Sequence, residues 1–294
     1  MTTYTIGFSN IYEQNPFTRK VRESLEAVAA ELPDIDLIVR DNDRDTPRAI
    51  ANSEYFASVP VDAAIVFHID QRAGQQVIYP LRAKGIPTLC VDVPIATIPY
   101  FGLDNVRVGR EAGAVLADWI NSNWGGQVDK TLVVVSYQLL ESFQQRVKCG
   151  LDVLAEQVRG FSHSNVLFVD NGNRPEDIAG RVTSVLNTWR DARHIAVLSM
   201  NDDAAIGALQ AIEQAGRGEH VALLSHDGTQ VSVNEFEKDH SPLVVSTLLR
   251  PEVYGESLMA LALQLARGET LPQWNYVETV PMTRDNYREL LSIT

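Results

Sequence analysis

The chain of 294 residues is 45% hydrophobic and carries a formal net charge of −13, so it holds enough apolar material for one large core or two lobes of about 140 residues each. The acidic balance is spread along the sequence rather than gathered in a tail, which argues against a nucleic-acid partner, because phosphate backbones are held by clustered Lys and Arg. No apolar run approaches the roughly 18 residues that would span a bilayer, and Met1-Thr2-Thr3-Tyr4 leads into the first strand pattern without the basic, apolar and cleavage regions of a leader.

Short β-branched runs alternate with amphipathic segments of helical length. They predict strands at Tyr4 to Ser9, Asp36 to Arg40, Ala63 to Phe67, Pro87 to Val91, Thr131 to Ser136, Val166 to Asp170, His194 to Ser199, Val221 to Ser225, Val244 to Leu248 and Tyr276 to Pro281. This βαβα order predicts the α/β class, with parallel sheets covered by helices on both faces. Asn15 caps a helix whose first turn holds Pro16, and Thr46 with Pro47 reads the same way. Val106 to Trp119 and Asp202 to Ala215, the latter ending at Gly216, carry apolar residues at helical spacing. The strands up to Val91 belong to one sheet, and a second series starts at Thr131, after the Leu103-Asp104-Asn105 turn and its helix. No Gly-, Ser- or Pro-rich tether marks this boundary, which predicts ordered hinge strands. Cys90 and Cys149 sit among apolar neighbours and read as buried small hydrophobes.

In open α/β sheets ligands bind beyond the carboxyl ends of the strands. The residues there are Asn10, Tyr12, Asn15 and Phe17, then Phe67, His68 and Asp70, then Asp92, then Tyr137, then Asn201 and Asp202, then His226 and Asp227. Amides, carboxylates and aromatics in this mixture suit a sugar, whose C–H faces stack on rings while its hydroxyls exchange directional hydrogen bonds. Several have an ordinary alternative: Asn201 as a helix cap, Asp104-Asn105 as a turn or cap, His68 and His226 as satisfied loop histidines. Asp92 and Asp227 stand out, because each follows an apolar run and a carboxylate there needs a partner. There is no GxGxxG after the first strand, no phosphate loop, no HExxH and no GxSxG elbow. Gly125-Gly126 lacks the Lys-Ser/Thr of a phosphate loop, and nothing in the sequence splits Asp92 and Asp227 into an acid and a base. No catalytic residue, metal or cofactor is expected.

Read together, the motifs resemble the type I periplasmic binding proteins of the ribose-binding-protein kind. Ile6-Gly7-Phe8 followed by Asn15-Pro16-Phe17 resembles their opening, Val91-Asp92 their "vD" strand end, and Asp104-Asn105 with Gly109 their "sDN…G" hinge turn. Asn201 to Ala208 resembles "NDxxAlGa", His226-Asp227-Gly228-Thr229 resembles "fDGt", and Thr247 through Pro251 to Gly255 resembles the late "T…P…G" crossover. The resemblance implies two Rossmann-like lobes joined by three hinge crossings, residues 1–103 plus about 250–276 and about 106–247 plus 277–294, with ligand in the interlobe cleft. It implies ligand contacts at Asn15, Phe17, Asp92, Asn201 and Asp227, with His226 where an aromatic often stacks. Tyr12 and Tyr137 join them by position. The sequence departs from ribose binders at Val93 and Leu249, and an expected arginine has its nearest counterpart in Arg146, four residues before Gly150. Phe67 and His68 replace an asparagine-bearing strand end, so the expected ligand is a sugar or polyol other than ribose. The function so implied is that of a monomeric solute-binding receptor, handing its ligand unchanged to a membrane permease complex of the ABC type. The alternative is the effector domain of a lac-repressor-family regulator, though no helix-turn-helix precedes the first strand; an enzyme is less supported. The compartment is extracytoplasmic if a leader preceded Met1 and cytoplasmic otherwise.

Overall fold

The computed structural model describes residues 3–68, 70–136, 141–170 and 175–292. A first series comprises β1 (Tyr4–Asn10), α1 (Pro16–Glu31), β2 (Ile35–Asp41), α2 (Thr46–Ser58), β3 (Ala63–Val66), α3 (Gly74–Ala83), β4 (Thr88–Val91) and β5 (Tyr100–Gly102). The second comprises α4 (Asn105–Trp124), β6 (Lys130–Val135), α5 (Glu141–Gln157), β7 (Val166–Asp170), α6 (Pro175–Thr188), β8 (Ile195–Ser199), α7 (Asp202–Gln214), β9 (Val221–Asp227), α8 (Gln230–Glu237) and β10 (Leu243–Leu248). Then come α9 (Tyr254–Ala266), β11 (Trp274–Tyr276), β12 (Val280–Thr283) and α10 (Tyr287–Ser292).

The chain divides into two compact units, Met1–Leu103 with Arg250–Glu278, and Asp104–Leu249 with Thr279–Thr294. The first unit's sheet runs β11-β5-β4-β3-β1-β2, all parallel; the second runs β12-β10-β9-β8-β6-β7, parallel except for the antiparallel β10–β12 pair. Both are the α/β architecture that the alternation of runs predicts. Every residue of β3, β4 and β8 is buried, which is why these strands read as unbroken apolar runs rather than alternating ones. Helices pack on them through stripes such as Val108, Ala112, Leu116 and Ile120 of α4. Cys90 and Cys149 are buried and unpaired, and burial pushes the Cys90 thiol up to about 11. Among the described residues no helix is long and apolar enough to cross a membrane.

Three local expectations need correction. Asp45, not Thr46, caps α2: its side chain accepts from Arg48 N at 2.7 Å, while Thr46 is already helical. The run Tyr276 to Pro281 is not one strand. Tyr276 pairs with Gly102 in the first sheet, and Val280 pairs with Leu248 in the second. The chain therefore changes sheets between them, inside a β-branched stretch with no Gly or Pro to announce it. Finally, β5 went unpredicted because three residues are too few to show a period.

Candidate functional site

In the first unit the candidate residues cluster after β1, β3 and β4. Asn15 caps α1 through Thr18 N at 3.1 Å. Phe17 lies in the first turn behind it, half-buried, its ring edge-on to Tyr254. Tyr12 is committed elsewhere: the Arg44 guanidinium covers its ring at 4.6 Å and its hydroxyl donates to Gln14 Oε1 at 3.0 Å. Phe67 and His68 are both buried. His68 Nε2 lies 3.3 Å from Thr46 Oγ1, its Nδ1 has no hydrogen-bond partner among the described residues, and burial lowers its pKa despite the nearby Asp70 and Asp45.

Asp92 stands just past β4 in a left-handed backbone, φ +54°, and is 3% exposed. Its Oδ1 accepts from Leu103 N at 3.3 Å and from the Tyr254 hydroxyl at 3.2 Å. The approach of β5 is so close that a Cβ on Gly102, itself at φ +153°, would lie 2.3 Å from Asp92 Oδ1. Only glycine fits there. Two donors to this buried carboxylate thus come from its own unit.

The second unit gathers Asn105, Arg146, His226 and Asp227 at the carboxyl end of β9. Gly109 lets α5 lie directly against α4, since a Cβ there would meet Arg146 O at 2.2 Å. That contact carries the buried Arg146 to Asn105, whose Oδ1 accepts from Arg146 Nε, and brings Arg146 Nη1 within 3.8 Å of Asp227 Oδ1. Asp227 is again left-handed, φ +108°, with its side chain 22% exposed. Burial pushes its carboxyl well above the ordinary range, with the charge of Asp202 adding and that of Arg146 opposing. His226 is fully buried; its Nδ1 lies 3.0 Å from Thr247 Oγ1, and its Nε2 has no partner among the described residues. Burial, then the charge of Arg146, holds this imidazole well below its usual pKa and hence neutral. Asn201 caps α7 through Ala204 N at 3.0 Å, the alternative that its sequence position left open. Tyr137 lies outside the described residues.

Asp202, which the strand-end rule also picks out, holds the largest hydrogen-bond cluster among the described residues of this end. Its carboxylate, 1% exposed, accepts from Ser225 Oγ, Ser246 Oγ and Ser232 Oγ and from both N and Oγ1 of Thr229, all at 2.7–2.8 Å. It knots β9, β10, α7 and α8 together. The serines and threonine, scattered over some twenty residues of sequence, were the signal, and only the sheet order brings them to one point.

Among the described residues no group of three His, Cys, Asp or Glu side chains is placed to hold a metal. A groove of about 690 Å³ lined by Asp129, Lys130, Trp189 and His194 lies at the amino ends of β6 and β8 and contains none of the candidate residues.

A family model described as "Periplasmic binding protein domain" matches residues 6–270. The chain is 24% identical over 291 residues to a xylitol-binding protein of Mycolicibacterium smegmatis, covering 97% of this chain and 78% of that one. It is 23% identical to a ribose import binding protein of Bacillus subtilis over 90% and 83% of the two chains. Among solved structures, an ABC transporter solute-binding protein of Bacillus halodurans with bound myo-inositol superposes with a TM-score of 0.82 over 100% of this chain and 99% of that one, at 19% identity. At that identity the likeness is one of fold.

Proposed function

Because the chain belongs to the periplasmic binding protein family, we propose that it is a solute-binding receptor that captures a small neutral sugar or polyol and yields it, chemically unchanged, to an ABC-type membrane permease outside the cytoplasm. Relatives named for xylitol and ribose, and a structural neighbour holding myo-inositol, support a polyhydroxylated ligand. We assign its contacts to Asn15, Phe17, Phe67, His68 and Asp92 of the first unit and to Arg146, Asn201, His226 and Asp227 of the second. Asn15 and Asn201 spend their side-chain oxygens on helix caps, so their amide N–H groups are the donors left to offer. Tyr12, covered by Arg44, is a rim residue in this reading.

The observation that carries the proposal is the corner at the end of β9. Among the described residues Asp227 faces one cation, at 3.8 Å, and His226 Nε2 has no partner, so those residues leave hydrogen-bonding capacity at this corner unused. A ring of hydroxyls both gives and accepts hydrogen bonds, and bonds to a charged acceptor are worth about 1.5–3 kcal/mol each. Neutral histidines suit an uncharged ligand. Val93 and Leu249, both buried and apolar, remove polar partners that ribose binders have, as the sequence resemblance implies.

The test is a thermal-shift screen against pentoses, hexoses, polyols and amino sugars. A ligand at 100 times its Kd is expected to add about 2.7 kcal/mol, and NMR of the recovered compound is expected to show it intact. A panel without a single shift, or a product formed in proportion to protein, would overturn the reading.

A further inference from the structure

Phe17 and Asp92 meet on one residue that has no role so far. Tyr254, at the start of α9, is fully buried. Its hydroxyl donates to Asp92 Oδ1 at 3.2 Å. Its ring stands edge-on to Phe17, with centroids 5.6 Å apart at 85°, and edge-on to Phe101 at 5.1 Å and 81°. The helix beneath it is fastened to the helix that bears Phe17: Gly255 N donates to Ser24 Oγ at 3.0 Å, and Ser24 Oγ in turn donates to Val21 O of its own helix at 2.8 Å. Tyr254 is thus braced on three sides.

Asp92 needs such a brace. A left-handed aspartate is strained and persists only where its surroundings over-determine it. One of its Oδ1 donors, Leu103 N, belongs to the backbone of the same corner; Tyr254 reaches it from across more than 150 residues of sequence. A phenylalanine would fill the same space and keep both edge-on contacts, so the hydroxyl serves something other than packing.

We propose that Tyr254 is a positioning residue for ligand recognition: its hydroxyl fixes the Asp92 carboxylate and its ring fixes Phe17, so that an acceptor and a stacking plane keep one mutual geometry. A rigid pair of this kind separates sugars that differ in the direction of a single hydroxyl, because the wrong epimer leaves a desolvated polar group unpaired. The proposal rests on the reading of Asp92 and Phe17 as ligand contacts.

The experiment compares the parent with Tyr254→Phe, Asp92→Asn and the double variant, by calorimetric titration with D-ribose, xylitol and myo-inositol and with the epimers D-arabinose and D-arabitol. Loss of the hydroxyl is expected to weaken the best probe about tenfold and to narrow the affinity ratio between epimers, while the double variant loses no more than Asp92→Asn alone. A second measurement needs no ligand: three-bond couplings of Asp92 are expected to report one χ1 rotamer in the parent and averaging in Tyr254→Phe. Unchanged epimer ratios, additive losses, or a single Asp92 rotamer in Tyr254→Phe would each overturn the proposal. If Asp92→Asn binds every probe as the parent does, or no probe binds the parent, the assignment of Asp92 as a contact fails instead, and the couplings still decide whether Tyr254 positions it.

Discussion

Asp92 and Asp227 occupy equivalent places, just beyond or at the end of an interior strand in their respective sheets, and both adopt a left-handed backbone. Their settings are opposite. Asp92 is sealed in, and a backbone N–H and a tyrosine hydroxyl donate to it. Asp227 is partly open, faces one arginine, and has a carboxyl that burial pushes upward. Next to it, the Asp202 carboxylate takes the serine and threonine donors of this corner, while the Asp202 backbone N–H is bonded to Asp227. The same pattern, an apolar run followed by aspartate, therefore builds a rigid acceptor in one unit and an electrostatically strained one in the other. Strain of this kind marks groups whose partner is not wholly supplied by the protein.

The largest effect expected lies on the structural side of this contrast. Asp202→Ala leaves five donors without their acceptor and is expected to cost the second unit about 3–5 kcal/mol, read as a lower urea midpoint for that unit. Retained stability would mean that the knot is not what holds β9, β10, α7 and α8 together. Asp92→Ala and Asp227→Ala are each expected to lose about 2–4 kcal/mol of ligand affinity, roughly 30- to 1000-fold by calorimetry. They part company in the empty protein: removing Asp92 orphans two buried donors and is expected to destabilise by about 1–3 kcal/mol, whereas removing Asp227 is expected to leave the melting temperature level or higher. Equal melting temperatures for the two variants would erase the distinction.

The pH dependence sharpens it further. Asp227 has a folded pKa raised above its unfolded value, so its protonated form contributes stability that is present below the ordinary carboxylate range and lost as pH rises through the raised value. Asp227→Asn is therefore expected to gain on the parent in melting temperature as pH rises from about 4. A gap that stays flat would show the carboxylate to be fully compensated by Arg146. The smallest change expected is in Asn201→Ala, about 1 kcal/mol of stability from the lost cap, measured by the same melt, with affinity falling only if its amide also meets the ligand.

The α/β class was legible because doubly buried strands leave unbroken apolar runs such as Ala63–Val66 and Ile195–Ser199. The strand-end rule picks out Asp92, Arg146's neighbour Asp227 and the capping asparagines as polar residues beyond apolar runs, but cannot say what each touches. Tyr254 escaped because it reads as one more aromatic on an apolar helix; its meaning comes from a contact 162 residues away. The strand-end rule names Asp202 but hides its structural part, because its donors are spread over separate elements. Arg44, which covers Tyr12, stands in a loop with φ +54°, a conformation that no residue pattern there signals.

The change of sheets between β11 and β12 also constrains how the molecule can be made. Residues 274–276 complete the edge of a sheet whose other strands lie within the first 102 residues, and α9, which bears Tyr254, belongs to that same unit. Synthesis has therefore passed residue 273 before this unit receives its last strand, and residue 253 before Asp92 receives its tyrosine. The second unit waits in the same way: its βα series is contiguous from Asp104 to Leu249, but its edge strand β12 comes after β11, so both sheets keep an open edge, at β5 and at β10, until residues 274–283 arrive.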